Sequence, residues 1–151
     1  MKRRHKKSSF ELFFEKALVG DDIEVWGDQS IKRDHIYIKD VLTAIEAGIN
    51  SKDTKGIFTI ASGVGYSQFE EANVLAKVFS TGKVSKVKNI PEKQGITRGY
   101  IYDITKAKTE LNWEPKFTDL TDLYEDYKKE WLTKEYCNYH YIIEEQKPKT
   151  L

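Results

Sequence analysis

Apolar residues recur at helical spacing along much of the chain, and the stretches they mark predict amphipathic helices. The first predicted helix begins at Ser8 and ends at Gly20. The second begins near Asp40, and the third begins with Ser67 and Glu70, a capping box in which each side chain bonds the other's backbone. In the last helix the apolar positions follow a spacing of 0, 3, 4, 7 and 11: Leu120, Leu123, Tyr124, Tyr127 and Trp131.

Short runs of alternating or continuously apolar residues separate the helices and predict strands. These runs cover residues 23–26, 35–38, 56–60 and 84–90. The run at 56–60 has the composition of a buried strand. A short helix is predicted from 103 to 111, and Pro115 enforces a break after it. Because strands alternate with helices, the predicted fold class is α/β.

Length and composition indicate one packed domain. The 151 residues are 39% hydrophobic, which is enough to bury a core. The 25 basic and 24 acidic residues nearly cancel, so charge predicts affinity for neither nucleic acid nor a membrane surface. No stretch approaches the ~20 apolar residues of a membrane span. The single Cys137 allows no intramolecular disulfide and fits a reducing cytoplasm, and three scattered histidines predict no metal site.

The ends of the chain differ in composition from its middle. Residues 2–7 are all basic, and we expect residues 1–8 to be a disordered, solvated arm. A basic arm of this kind can bind nucleic acid, but the near-zero net charge argues against that function. Residues 9–132 are expected to form the folded domain, and residues 133–151 a tail whose end is loose.

The segment ASGVG, at residues 61–65, follows a predicted strand and precedes a predicted helix. This position suggests dinucleotide binding, because glycines allow a pyrophosphate to approach a helix N-terminus. The third glycine of that motif would fall at Gln68, and Glu70 places a carboxylate where a phosphate would lie. We therefore interpret the segment as a turn between strand and helix.

Three segments together resemble one family. GDQSIKRDHIYIKDV, starting at residue 27, resembles the motif around an Arg-Asp pair in extended short-chain dehydrogenase/reductases that act on nucleotide sugars. GIFTIASGVGYSQFEEA, starting at residue 56, and YDITKAKTELNWEP, starting at residue 102, resemble later motifs of that family in order and spacing. The resemblance covers about residues 9–131. It implies the C-terminal, substrate-binding part of an NAD-dependent epimerase or dehydratase, a small mixed α/β domain lacking most of the Rossmann sheet.

The chain lacks sequence features that complete enzymes of this family use for catalysis. It contains no glycine-rich G-x-x-G-x-x-G motif. Tyr124 and Lys128 have the Tyr-x-x-x-Lys spacing, but Tyr124 belongs to the apolar stripe of the last predicted helix. Hydride transfer needs a bound cofactor and a tyrosine acid/base. We therefore assign no catalytic, cofactor-binding or metal-binding residue, expect NAD only in the complete enzyme, and leave open whether this chain is itself an enzyme.

The resemblance also implies roles for two residues near the Arg-Asp pair. Arg33 corresponds to an arginine that contacts the diphosphate of the nucleotide sugar, and a guanidinium suits that anion through charge-assisted hydrogen bonds. The alternative for Arg33 is a salt bridge to Asp34 or to a surface carboxylate. Trp26 corresponds to an aromatic position that lines the base pocket, and its alternative is ordinary core packing.

A later segment, PEKQGITRGYIYD at residues 91–103, supplies the other predicted substrate contacts. Lys93 stands where the family has a phosphate-binding arginine, and Tyr100 where a substrate-side tyrosine can occur. Ile96 replaces an aspartate that bonds a ribose hydroxyl. Arg98 can compensate for that replacement, and its alternative is a plain surface arginine. The predicted substrate-binding set is therefore Trp26, Arg33, Lys93, Arg98 and Tyr100.

These assignments give one leading function and one alternative. The leading hypothesis is a domain that binds a nucleotide-diphosphate sugar without being catalytic alone, so that a Rossmann half comes from a separate chain or from a longer product. The alternative is a non-catalytic protein-interaction module derived from such an enzyme. Either way, apolar surface is left uncovered, and self-association into a homo-oligomer would bury it. The sequence identifies neither the sugar nor the base.

Overall fold

The computed structural model describes residues 7–133. The predicted arm, apart from residues 7 and 8, and the predicted tail beyond residue 133 lie outside the described residues. Within residues 7–133 there are five helices and four short strands. In chain order they are α1 (Ser9–Val19), β1 (Ile23–Trp26), β2 (Arg33–Asp34), α2 (Ile38–Asn50), β3 (Gly65–Tyr66), α3 (Gln68–Val78), β4 (Val87–Ile90), α4 (Thr105–Glu110) and α5 (Leu120–Thr133).

The strands form two small sheets of opposite pairing. β1 and β4 are parallel, with Trp26 opposite Ile90 at one end. β2 and β3 are antiparallel, with Arg33 opposite Tyr66. An isolated parallel bridge also joins Arg33 to Tyr100. This mixture of short strands and helices confirms the predicted α/β class.

The main core lies between α1, α3, α5 and the inner face of β1. Aromatic rings dominate it: Phe14 meets Phe79 edge-to-face at a centroid distance of 4.8 Å. In β1, Ile23 and Val25 are fully buried, and the residues that alternate with them are exposed. This alternation puts Trp26 on the outer side of the strand, next to the core but not inside it.

α1 and α3 begin where the sequence predicts. Ser8 caps α1 and exchanges hydrogen bonds with Glu11, and Ser67 and Glu70 do the same at α3. Gly20 ends α1 in the left-handed conformation, with φ of 72°, which a residue without a side chain adopts readily. These predicted helix boundaries are confirmed.

α2 begins earlier than predicted. Tyr37, not Asp40, occupies its N-cap position. The Asp40 carboxylate is buried and accepts hydrogen bonds from the main-chain N–H groups of Lys116 and Phe117, each at 2.9 Å. These bonds tie the segment before α5 to α2, beside a second core cluster built on Ala44, Ala107 and Trp113.

Two predicted strands differ in the structure. The strand expected at 35–38 lies instead at Arg33–Asp34, because α2 already begins at Ile38. Residues 56–60 are not a strand. No hydrogen bond between two main-chain groups joins them to any other part of residues 7–133. The prediction for 56–60 rested on composition, but a strand also needs a neighbouring strand, and none of the described strands lies beside it.

Candidate functional site

An open hollow of about 480 Å³ lies between α1, the outer face of β1 and the segment after β4. We call it the Trp26 hollow. Trp26 forms one wall and is 47% exposed, so it does not fill the core. The other lining residues come from α1, β1, α3 and the segment after β4: Ser9, Leu12, Phe13, Lys16, Glu24, Gln68, Gln94, Gly95 and Ile96.

Two glycines bring the segment after β4 against the end of β1. A Cβ on Gly95 would lie 2.0 Å from the main-chain oxygen of Trp26, a distance that no side chain tolerates. Gly27 has φ of 85°, and a Cβ on it would lie 2.8 Å from the Cα of Gly95. The two main chains therefore touch at this point, and Ile96, the next residue, lines the hollow together with Trp26.

Lys93 lies over the indole of Trp26, with its Nζ 4.8 Å from the ring centroid. The same Nζ donates a hydrogen bond of 2.7 Å to Glu24, and the indole N–H donates one of 3.3 Å to that carboxylate. These bonds, with the one from Lys93 contributing most, hold the pKa of Glu24 below its usual range. Sequence reasoning did not assign a role to Glu24. In the structure Glu24 forms an ion pair with Lys93, the residue predicted to contact phosphate.

Arg33 has a different environment. Its Nε donates a hydrogen bond of 3.0 Å to the carbonyl of Arg98, and its guanidinium lies 5.7 Å from the ring centroid of Tyr100. No carboxylate within residues 7–133 forms an ion pair with Arg33. We call Arg33, Arg98 and Tyr100 the Arg33 cluster. Its charge is uncompensated within the described residues.

Asp34 is used elsewhere and does not pair with Arg33. Its two carboxylate oxygens accept hydrogen bonds from the main-chain N–H groups of Ser62, Gly63 and Tyr102, at 2.8, 2.9 and 3.3 Å. The hydroxyl of Ser62 adds a bond of 2.7 Å. The N–H groups of residues 62 and 63 are therefore already bonded, and Glu70 occupies the start of α3. Residues 61–65 are not the predicted turn after a strand, because 56–60 form no strand and Gly65 belongs to β3. With its N–H groups bonded to Asp34, this segment does not fit the pyrophosphate of NAD.

The segment 93–100 connects the Trp26 hollow to the Arg33 cluster. Beyond Gly95, a Cβ on Gly99 would lie 2.5 Å from the carbonyl oxygen of Lys32, and Tyr100 donates a main-chain hydrogen bond of 2.9 Å to that oxygen. The four residue-to-residue steps from Gly95 to Gly99 can separate the two glycine contacts by at most about 14 Å. The structure thus brings Trp26 and Lys93 together, and separately Arg33, Arg98 and Tyr100. Arg33 does not line the hollow.

Sequence reasoning missed the wall that α1 contributes. This wall consists of Ser9, Leu12 and Lys16, at spacings of 0, 3 and 7, beside the buried side of α1 that carries Phe13 and Phe14. Leu12 is 44% exposed although it is a large apolar residue in a helix. A second stripe on α1, next to its core stripe, was the signal that could have identified this wall.

A further Tyr-x-x-x-Lys pair, Tyr102 and Lys106, also has the catalytic spacing. The Lys106 ammonium donates to the carbonyl of Ile57 at 3.1 Å and lies 4.4 Å from the ring centroid of Phe58. It therefore holds residues 57 and 58 in place. The Tyr102 ring lies 5.2 Å from that of Tyr100, beside the Arg33 cluster.

Comparison with known proteins identifies the family. The NAD dependent epimerase/dehydratase family profile matches residues 2–61. The low-salt glycan biosynthesis protein Agl12 of Haloferax volcanii is 28% identical over 116 residues, and the UDP-glucose 4-epimerase of Corynebacterium glutamicum is 33% identical over 113. The chain belongs to the NAD-dependent epimerase/dehydratase family.

The match covers only part of each relative. The aligned residues are 77% of this chain but 37% of the Haloferax protein, and 72% of this chain but 33% of the Corynebacterium epimerase. A solved UDP-glucose 4-epimerase from Thermotoga maritima, with UDP-glucose bound, superposes with a TM-score of 0.61 at 28% identity. That match covers 86% of this chain and 42% of the Thermotoga enzyme. This member of the epimerase/dehydratase family thus spans about one third of the length of its curated relatives.

Two further findings concern the described part of this family member. None of its helices is long and apolar enough to cross a membrane. Residues 7–133 also contain no group of three or more histidine, cysteine, aspartate or glutamate side chains arranged to hold a metal ion.

Proposed function

We propose that this chain binds the nucleotide-diphosphate part of a nucleotide sugar, as the substrate-binding portion of an NAD-dependent epimerase or dehydratase. The observation that carries the proposal is the position of Arg33, which has no carboxylate partner within residues 7–133. It contacts one end of the segment 93–100, and the other end of that segment lines the Trp26 hollow. A guanidinium without a carboxylate partner suits a diphosphate, and an exposed indole suits a base. The Thermotoga relative, with UDP-glucose bound, supports this ligand class.

In this proposal each end of the segment 93–100 binds a different part of the ligand. The base lies in the Trp26 hollow, between the indole and the α1 wall. The diphosphate lies against Arg33, with Arg98 as a second cation and Tyr100 as a neighbouring hydroxyl. Lys93 reaches the phosphates only after leaving Glu24, to which it donates at 2.7 Å. Ile96 contributes apolar surface in place of a hydrogen bond to the ribose.

The proposal assigns no chemical step to this chain alone. Tyr124 is buried, and its hydroxyl donates a hydrogen bond of 2.6 Å to the buried Glu71. Burial and the nearby Glu71 charge raise the pKa of Tyr124, which is the wrong direction for a tyrosine acid/base. NAD supplies hydride transfer when it is bound, and the groups that hold it belong to a second, α/β half. The chain alone should therefore bind its ligand without turnover.

Calorimetric titration of the full chain with UDP-glucose and ADP-glucose tests this function. We expect measurable binding of at least one of them, and binding weaker by about tenfold or more in Arg33→Ala, because a hydrogen bond to a charged group is lost. Lys88→Ala removes another cation, which is exposed and pairs with Asp22 at 3.0 Å, and it should leave the affinity unchanged. No binding of either sugar, or equal affinity in Arg33→Ala and the parent, contradicts the proposal.

One observation favours the alternative, a non-catalytic interaction module. Four large apolar residues of α2 are exposed, and exposed apolar surface of this kind favours association. As a module of this type the chain would self-associate, and light scattering would show a dimer or larger species. It would also bind no nucleotide sugar, so the titration above distinguishes it from the proposed function.

A further inference from the structure

A second hollow, of about 350 Å³, opens beside the N-terminus of α1. It lies between α1, the segment that joins β2 to α2, and the helices α3 and α5. We call it the Glu71 hollow. Its volume is within the range of sites that hold small ligands. It shares only Ser9 with the Trp26 hollow, and none of the proposed sugar contacts lines it.

Four aromatic side chains form most of the walls of this hollow: Phe10, Tyr37, Tyr124 and Tyr127. The Phe10 ring lies 5.9 Å from the ring of Tyr124 and 6.1 Å from that of Tyr127, measured between centroids. Rings grouped in this way offer apolar surface to a ligand, and their faces attract a positive charge.

The Glu71 carboxylate lines the hollow although the residue is only 4% exposed. One of its oxygens accepts the hydrogen bond from the Tyr124 hydroxyl. The other oxygen accepts no hydrogen bond from residues 7–133. Every fully enclosed polar side-chain atom of the described residues has a hydrogen-bond partner, so this second oxygen is open to the hollow.

The charge of Glu71 is also without a cation. No ion pair within residues 7–133 includes it, although His35 lines the same hollow. Lys39 is bonded to two carboxylates of α5, and the Lys128 ammonium donates to the carbonyl of Val78 at 2.6 Å. The first turn of α3, in which Glu71 lies, stabilises a negative charge there. Because buried carboxylates are normally paired, this arrangement lacks a cation.

We propose that the Glu71 hollow binds a small organic cation, a primary ammonium carried on an apolar or aromatic group. The ammonium donates to the open oxygen of Glu71, and the apolar group lies against the rings of Phe10 and Tyr127. The inference goes beyond the proposed function and does not rest on it, since the nucleotide sugar is an anion held by other residues.

The charge of the site distinguishes this ligand from the other kinds that could fit the hollow. An anion would meet the Glu71 carboxylate and be repelled by it. A neutral aromatic molecule would contact the same rings but leave the carboxylate without a cation. Only a cation gains from both the carboxylate and the ring faces, so the preference for a cation over a neutral molecule of the same shape is the property to measure.

Calorimetric titration of the full chain with benzylamine and with benzyl alcohol measures this preference. The two probes carry the same ring and differ in the charged group. We expect benzylamine to bind at least about tenfold more tightly, the effect of a hydrogen bond to a charged partner. Benzylamine should also raise the midpoint of thermal unfolding, because it binds the folded chain.

Glu71→Gln removes the charge and keeps an oxygen that accepts from Tyr124. It should weaken benzylamine binding about tenfold and abolish the preference over benzyl alcohol. The matched control is Glu125→Gln, which removes the same charge from an exposed position of α5 and should leave both affinities unchanged. Circular dichroism of each variant verifies that it is folded.

Tyr127→Leu tests the location of the site without touching the carboxylate, and it decides the question if Glu71→Gln does not fold. Loss of the ring should weaken benzylamine about threefold. The inference is overturned if the parent does not bind benzylamine or binds both probes equally. It is overturned equally if folded Glu71→Gln keeps the preference or Tyr127→Leu keeps full affinity. Displacement of benzylamine by UDP-glucose would place the amine in the sugar site and has the same consequence.

Discussion

At the scale of single residues, the site depends on which cations already form an ion pair with a carboxylate. Arg33 and Lys93 were both predicted to contact phosphate, but only Arg33 is without a carboxylate partner within residues 7–133. Lys93 is paired with Glu24, and the carboxylate also opposes an incoming anion. Residue identity alone does not decide this, because the ion pair joins two residues that lie 69 positions apart in the sequence.

Glu24→Gln should strengthen binding of UDP-glucose. The substitution removes a negative charge beside the ligand and frees the Lys93 ammonium for the diphosphate. We expect a gain of about threefold, the size of effect that exposed charge pairs show. Calorimetric titration at low and high salt measures it, and the gain should be smaller at high salt.

Asp22→Asn is the matched control for Glu24→Gln. Asp22 is also exposed, adjoins β1 and pairs with a lysine, Lys88 at 3.0 Å, but it does not line the Trp26 hollow. The affinity of the Asp22→Asn variant for UDP-glucose should equal that of the parent. A weaker complex in Glu24→Gln would mean that Glu24 itself binds the ligand, for example through a ribose hydroxyl.

At the scale of secondary structure elements, the helix starts that carry a capping box were predictable, whereas the start of α2 and the unpaired run 56–60 were not. α1 and α3 each carry Ser-x-x-Glu, and a capping box is formed by four consecutive residues, so the sequence contains the whole motif. Residues 56–60 were predicted as a strand from the same kind of local pattern. Strand formation needs a neighbour from elsewhere in a chain, which no local pattern supplies.

Glu70→Ala should weaken the start of α3 by about 1 kcal/mol at pH 7, the usual cost of losing a helix cap. The main-chain N–H of Ser67 donates a hydrogen bond of 2.7 Å to the Glu70 carboxylate. This bond is the largest cause that holds the pKa of Glu70 below its ordinary value of 4.5. The depressed pKa means that the contribution is present above pH 4.5 and is lost as pH falls through the folded-state pKa.

Urea unfolding of the parent and Glu70→Ala between pH 7 and pH 3 measures this contribution. The difference in unfolding free energy should shrink as pH is lowered below 4.5. Glu125→Ala, on the exposed side of α5, removes a helical glutamate without a cap and should show no such pH dependence. A constant difference for Glu70→Ala across this range would contradict the assignment.

At the scale of the whole molecule, the sequence predicted the α/β class, the starts of α1 and α3 and the family, and it grouped the candidate site only in part. The order and spacing of the three motifs were sufficient to predict the family, because both can be read directly from the sequence. The separation of Trp26 and Lys93 from the Arg33 cluster was not predictable, because it depends on where Gly95 and Gly99 contact other segments. Leu42, Ile45 and Ile49 of α2 are 57, 54 and 79% exposed within residues 7–133, which the apolar pattern of the helix does not reveal.

The bond between Tyr124 and Glu71 joins α5 to α3 across the main core, so its effect is on global stability. Tyr124→Phe should lower the unfolding free energy by about 1–3 kcal/mol, because the buried Glu71 carboxyl loses a hydrogen bond donor. The affinity of the folded protein for UDP-glucose should not change. Tyr127→Phe is the matched control on the next turn of α5, since the Tyr127 hydroxyl makes no hydrogen bond within residues 7–133. Urea unfolding and calorimetric titration of both variants separate the possibilities: a stable Tyr124→Phe variant with impaired sugar binding would place Tyr124 in the ligand site instead of the core.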